Sequence, residues 1–148
     1  MTPKLRVEVR LSAPDELSEP LSLLEESLRY GEPVPPPFAG QLARAVERGN
    51  LELLAAWADG GPVGVIVLAY RPSISLGATF ASIEDLYVKP DARRRGVGRA
   101  LLGAVGERCM ERGVSYVEVQ TDEAVAFYMS VGYKPEEGIQ VLSRCYAL

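Results

Sequence analysis

Ile83-Glu-Asp-Leu-Tyr-Val-Lys-Pro-Asp-Ala-Arg-Arg-Arg-Gly-Val-Gly-Arg-Ala-Leu-Leu102 decides how this chain is read, because an apolar strand runs into a basic, glycine-bearing turn that opens directly into a helix. Gly96 and Gly98 remove side chains where a ligand would approach the backbone, and the N–H groups of the helical turn that follows lack helical partners. A helix start of this kind receives anions. Arg93, Arg94, Arg95 and Arg99 add positive charge around the same point, which suits a pyrophosphate. The stretch lacks the Gly-Lys-Ser/Thr ending of a Walker loop and the third glycine of a dinucleotide fingerprint, so nucleotide hydrolysis and nicotinamide binding are disfavoured.

Working outward from the turn, alternation over Leu5 to Leu11 predicts a half-buried strand stopped by Pro14. Asp15 is placed to cap a helix over 16–30 that carries Leu17, Leu21, Leu24 and Leu28 on one face and stops at Gly31. Glu32-Pro-Val-Pro-Pro-Pro-Phe38 predicts a stiff extended loop, followed by a shorter helix over 39–48. Leu51 to Trp57 and Val63 to Tyr70, joined by a glycine-rich turn, read as an antiparallel hairpin. Arg71 to Ala78 is a connection and Thr79 to Val88 the strand that leads to the basic turn. Beyond the turn come a helix over 97–112 ended by Gly113, a strand over Val114 to Gln120, a short helix over Glu123 to Val131 and a final strand over Gly138 to Ala147. The strand after the long helix would run parallel to the one before it. This order predicts an α/β fold, a mixed and twisted sheet flanked by helices, in one domain covering 1–148.

Composition narrows the chemistry. Hydrophobic residues make up 47% of 148, so the chain has the material for a real core. Net charge is −4, which makes nucleic acid an unsuitable partner and leaves the arginine cluster a local feature. Histidine is absent, so any proton transfer must use a carboxylate, Tyr, Lys, Cys or water, and the commonest zinc ligand is missing. Cys109 and Cys145 form no metal-binding pattern and are expected to be buried small hydrophobes, Cys109 on the apolar stripe of the long helix. Neither a signal-peptide core near Met1 to Arg10 nor a run long enough to span a membrane is present, so the expected location is cytoplasmic.

The turn resembles the acetyl-CoA-binding motif of the GNAT superfamily of N-acetyltransferases, Gln/Arg-x-x-Gly-x-Gly/Ala, here Arg93-x-x-Gly96-x-Gly98. Leu86-Tyr-Val-x-Pro precedes it at the family's distance, and Ala124-Val-Ala-Phe-Tyr-Met-Ser-Val-Gly-Tyr133 follows where the family carries Ala-x-x-Phe-Tyr-x-x-x-Gly-Phe/Tyr. The matches cover roughly residues 79 to 135. One departure is Thr121, where an Asn is common; its hydroxyl can still hydrogen-bond. The resemblance implies a mostly antiparallel sheet whose central parallel strands splay apart and admit acetyl-CoA as cosubstrate, with no metal. It implies that Leu86, Tyr87 and Val88 bind the pantetheine and acetyl carbonyl. Arg93, Arg94, Arg95, Gly96, Val97, Gly98, Arg99 and Ala100 would hold the pyrophosphate, and Thr121 would make a further contact.

Acetyl transfer to an amine needs the amine deprotonated, the thioester carbonyl polarised and the leaving thiolate protonated. No covalent enzyme intermediate is required when the two reactants are held together. Tyr128 stands at the family's Phe-Tyr element and is the candidate proton donor. Glu84 and Asp85 are the candidate acids for the amine side. Strict alternation pairs Glu84 with Leu86 and Val88, and Asp85 with Ile83 and Tyr87, but a bulge would break that parity. Likeness to polyamine acetyltransferases, which carry Leu-Glu-Asp-Phe-Phe-Val, and to some aminoglycoside acetyltransferases points to Glu84 as base, directly or through water, with Asp85 binding acceptor charge. The expected acceptor is a primary amine of a small cationic molecule; Glu25, Glu26 and Glu32 stand near the proline-rich loop, either as an acidic wall for it or as a solvated helix face. A peptide amine is the alternative, as is a silent acyl-CoA-binding sensor that keeps the arginine-glycine turn alone. A homodimer through exposed strands would be ordinary for the family.

Overall fold

The computed structural model describes residues 2–147. Its elements run β1 (Glu8–Leu11), α1 (Ser18–Arg29), α2 (Pro36–Glu47), β2 (Leu51–Ala58), β3 (Gly61–Ser73), β4 (Ala78–Val88), a 3-10 turn at Pro90–Ala92, α3 (Val97–Arg112), β5 (Val117–Val119) and α4 (Val125–Ser130). The five strands form one sheet in the order β1-β2-β3-β4-β5. All neighbours are antiparallel except β4 and β5, whose parallel pairing follows from the crossover through α3. This is the mixed, mostly antiparallel α/β arrangement that the sequence predicts.

Each face of the sheet has its own apolar layer. On one, α3 buries Val97, Leu101, Leu102, Val105 and Cys109 against Leu54, Ile66, Leu68, Ala81 and Ile83. Fully burying a side chain such as Leu101 is worth about 1.5–3 kcal/mol relative to leaving it exposed. On the other, α1 and its approach place Leu17, Leu23 and Leu24 on Leu53, Val65 and Val67. Close seating of α3 depends on Gly64 of β3, where an added Cβ would lie 2.9 Å from Val97 Cγ1. Among the described residues no helix is long and apolar enough to cross a membrane.

Several boundaries differ from expectation. The second helix begins at Pro36, because prolines at the first helical positions lose no hydrogen bond that a helix would have made there. Asp15 caps nothing: α1 starts after Leu17, and no side chain caps it. The hairpin strand β3 extends to Ser73, pairing with Ala78 across a tight connection. The final strand expected over Gly138 to Ala147 is not formed, and the segment is exposed without regular structure. A strand needs a partner edge, and β5 offers only three residues. Cys145 lies on that segment and is exposed, not buried; Cys109 is in the core as expected.

Candidate active site

The site is organised by an irregularity in β4. Ile83 stands opposite Leu68 on β3 and Asp85 opposite Val67, so Glu84 is an extra residue with no partner across the ladder. Such a bulge reverses the alternation beyond it. Ile83, Leu86 and Val88 therefore join the α3 layer, while Tyr87 joins the α1 layer. Asp85 enters a cavity of about 380 Å³ between α1, α2 and the sheet, whereas the Glu84 side chain is exposed. Burial pushes the Asp85 carboxyl above its ordinary range, and the neighbouring charge of Glu84 adds to the rise. The sequence offered both acids; the bulge brings only Asp85 into the cavity.

The remaining acids near the loop have internal duties. Glu25 Oε2 accepts the backbone N–H of Val34 at 2.6 Å, Glu26 Oε2 accepts the Tyr87 hydroxyl at 3.2 Å, and Glu32 lies 3.9 Å from Arg29. They fix α1 to the proline loop and to β4.

On the other side of Asp85, the sheet opens. β5 pairs with β4 only at Ala81, Ser82 and Ile83, so among the described residues the edge of β4 from Glu84 to Val88 has no strand beside it on that side. Leu86, Tyr87 and Val88 lie on this open stretch, which leads to the basic turn. Gly96 adopts φ +87°, a left-handed conformation that favours glycine, and Arg94 adopts φ +61°. A non-glycine residue held there is a local strain of the kind found at ligand-binding turns.

The residues of the turn divide by task. Arg93 Nε donates to Val88 O at 2.9 Å, Arg95 Nε to Pro3 O at 3.0 Å, and Arg99 Nη2 to Ser130 Oγ at 3.3 Å. Arg94 has no hydrogen bond or ion pair to protein among the described residues. The Val97 side chain is buried, with 2% exposure, so only its backbone can face a ligand. Ala100 donates its N–H to Gly96 O at 3.0 Å, so that donor is spent within the first turn of α3. The open space at Gly98 serves Phe127, whose Cζ would lie 3.0 Å from an added Cβ. That glycine lets α4 close on α3, and nothing in its spacing distinguishes this use from clearing room for a ligand.

Tyr128 is buried in the α3 layer, stacked edge-on with Phe127 at 5.4 Å and with Tyr133 at 5.5 Å between ring centroids. Burial raises its phenol above the ordinary range, so it stays protonated at neutral pH; the same cause pushes Tyr133 up to about 12. It borders an open groove of about 680 Å³ beside β5. Thr121 Oγ1 accepts the N–H of Ala124 at 3.1 Å and so steadies the turn that leads into α4. Among the described residues no cluster of Cys, Asp and Glu is arranged to hold a metal ion.

A network behind the sheet went unforeseen. Glu52 on β2 is buried and receives Arg108 at 2.6 Å, Arg112 at 3.2 Å and the Tyr70 hydroxyl. Burial pushes its carboxyl up, but hydrogen bonds from Arg108, Tyr70 and Arg112 outweigh that and hold it below the usual range. No local pattern announces it, since its members come from β2, β3 and α3.

Comparison with known proteins agrees with this architecture. The family model described as Acetyltransferase (GNAT) family matches residues 17–133. An uncharacterized N-acetyltransferase of Methanocaldococcus jannaschii is 34% identical over 64 residues, a match spanning 40% of this chain and 28% of that relative's length. An aminoglycoside acetyltransferase from an uncultured soil metagenomic sample, in complex with sisomicin, superposes with a TM-score of 0.80 at 23% identity, covering 96% of each chain. A predicted acetyltransferase of Clostridium acetobutylicum with acetyl-CoA superposes with a TM-score of 0.74 at 15% identity, over 93% of this chain and 96% of that one. At these identities the two structures speak for the fold. The family model covers most of the chain, and with the open β4 edge and the basic turn before α3, the protein belongs to the GNAT family of acetyltransferases.

Proposed function

We propose that this protein transfers an acetyl group from acetyl-CoA to a primary amine by direct attack in a ternary complex. One observation carries the reading: the open stretch of β4 joins the helix-start turn at Arg94 to Gly98 on one side to the Asp85 cavity on the other. Family membership and the fold shared with a structure holding acetyl-CoA support it. Acetyl-CoA supplies the activated acyl group. For its diphosphate the chain offers the first amides of α3 and the Arg94 guanidinium, with Arg93, Arg95 and Arg99 adding charge while they pin the turn. The unpaired β4 edge at Leu86 to Val88 offers backbone donors and acceptors for an extended amide chain.

In this proposal Asp85 holds the acceptor ammonium and removes its proton, the role that the sequence suggested for Glu84. Burial keeps the Asp85 carboxyl basic, and the charge of Glu84 adds to it. The Tyr128 phenol, protonated at neutral pH and bordering the groove beside β5, is the donor for the departing thiolate. A silent sensor of acyl-CoA would need the turn but not an acid in a cavity. The reading keeps one domain over 1–148, a cytoplasmic location and no nucleic-acid partner, as the sequence suggested. It also keeps the homodimer, favoured by the short β5 edge and by exposed Ile139, Val141, Leu142 and Tyr146 on the final segment. Release of CoA thiol in the presence of amines, with none when amine is omitted, tests the activity. Absence of release with every amine would reject it.

A further inference from the structure

We infer that the acceptor is a primary monoamine on an uncharged, apolar body, an alkylamine or arylalkylamine in size, and not a polyamine or aminoglycoside. The inference rests on the transferase reading above and names its substrate class. The cavity beneath α1 and α2 is walled by Leu21, Leu24, Leu28, Phe38, Leu42 and Leu53, and carries three charged groups. Two of the three are engaged. Glu25 accepts the Val34 N–H, and Arg29 donates Nε to Glu32 O at 3.1 Å. Asp85 alone has no hydrogen-bond or ion-pair partner among the described residues; Glu25 is a carboxylate too but is tethered to the Val34 N–H, so the cavity offers one unengaged carboxylate in a mostly apolar wall.

That pairing matches a molecule with one ammonium and a hydrocarbon body. A second ammonium would find at most the tethered Glu25, and the several hydroxyls of an aminosugar would be desolvated against leucine and phenylalanine, a cost that discriminates against both. Leu28 and Phe38, 57% and 44% exposed, line this cavity and present apolar surface that an apolar ligand would cover. At about 380 Å³ the space lies near the small end of ligand sites.

The test is CoA-thiol release by the full chain with hexylamine, 2-phenylethylamine, spermidine, sisomicin and a peptide bearing an N-terminal leucine, alongside calorimetry of acetyl-CoA binding. The two apolar amines should show kcat/KM at least tenfold above spermidine, sisomicin and the peptide. Phe38→Glu, at an exposed position that does not threaten folding, should raise KM for the apolar amines about tenfold and lower it for spermidine, with acetyl-CoA affinity unchanged. Turnover that favours spermidine, sisomicin or the peptide would overturn the substrate class and leave the transferase reading standing, as would an unmoved KM in Phe38→Glu. Acetyl-CoA binding with no turnover on any amine would overturn the transferase reading and this inference together.

Discussion

Ile83 and Asp85 are two residues apart on one strand yet face opposite sides of the sheet. The extra residue between them, Glu84, reverses the alternation and turns Asp85 under α1 and α2. An acid in an apolar cavity results, raised above its usual range by burial and by Glu84. Each consequence can be measured.

Asp85→Asn should lower kcat about 100-fold or more, the scale of a lost general base. The carboxyl must be ionised to act, so wild-type activity should rise with pH through a limb above the ordinary carboxylate range. Glu84→Gln removes a charge that raises that limb, and should move it to lower pH with kcat reduced only several-fold. A pH–rate profile for each variant decides between the acids. A raised carboxyl favours the folded state below its unfolded pKa and loses that contribution as pH rises through the folded value. Asp85→Asn should therefore raise Tm at neutral pH, with the gain vanishing in acid.

Tyr128→Phe keeps the ring stacked between Phe127 and Tyr133 and removes only the hydroxyl. Turnover should fall about tenfold or more with acetyl-CoA affinity within twofold, by steady-state kinetics and calorimetry. An unchanged kcat would take Tyr128 out of the mechanism.

Gly98→Ala would bring a methyl to 3.0 Å from Phe127 Cζ. Such overpacking costs about 1–3 kcal/mol, and Phe127→Leu in the same chain should recover part of it. Chemical denaturation of the two single variants and the double variant measures the coupling; strict additivity would show that the contact does not govern the position.

Arg94→Ala should weaken acetyl-CoA binding at least fivefold at low salt, with the deficit shrinking as salt rises. Arg95→Ala, whose guanidinium is tied to Pro3 O, should lose less affinity and more thermal stability. Equal affinity losses in the two would remove the division of labour.

Glu52→Ala leaves Arg108 and Arg112 without their shared acid and should cost about 3 kcal/mol in urea denaturation. The Glu52 carboxyl is held below its usual range, so its contribution is present above the unfolded pKa and lost as pH falls through the folded value. The difference between wild type and variant should shrink correspondingly in acid.

The sequence by itself determined the family, the element order as far as α4 and the turn that opens α3, because these are written in contiguous residues. Alternation marks strands, glycine at Gly96 and Gly113 marks helix ends, and the clustered arginines mark charge, each a property of short stretches. It also supplied Glu84, Asp85 and Tyr128 as the groups able to move protons in a chain without histidine. Only the tertiary structure decided which acid enters the cavity, because a bulge is set by the register between β3 and β4 and leaves no local signature. It alone decided that Gly98 makes room for Phe127 and that Glu52 gathers two arginines and a tyrosine, since those partners lie far apart in the chain. The apolar wall facing Asp85 was half legible: the leucine stripe of α1 was visible, but which of its members would cover the core and which would line an open cavity depends on where α2 comes to rest.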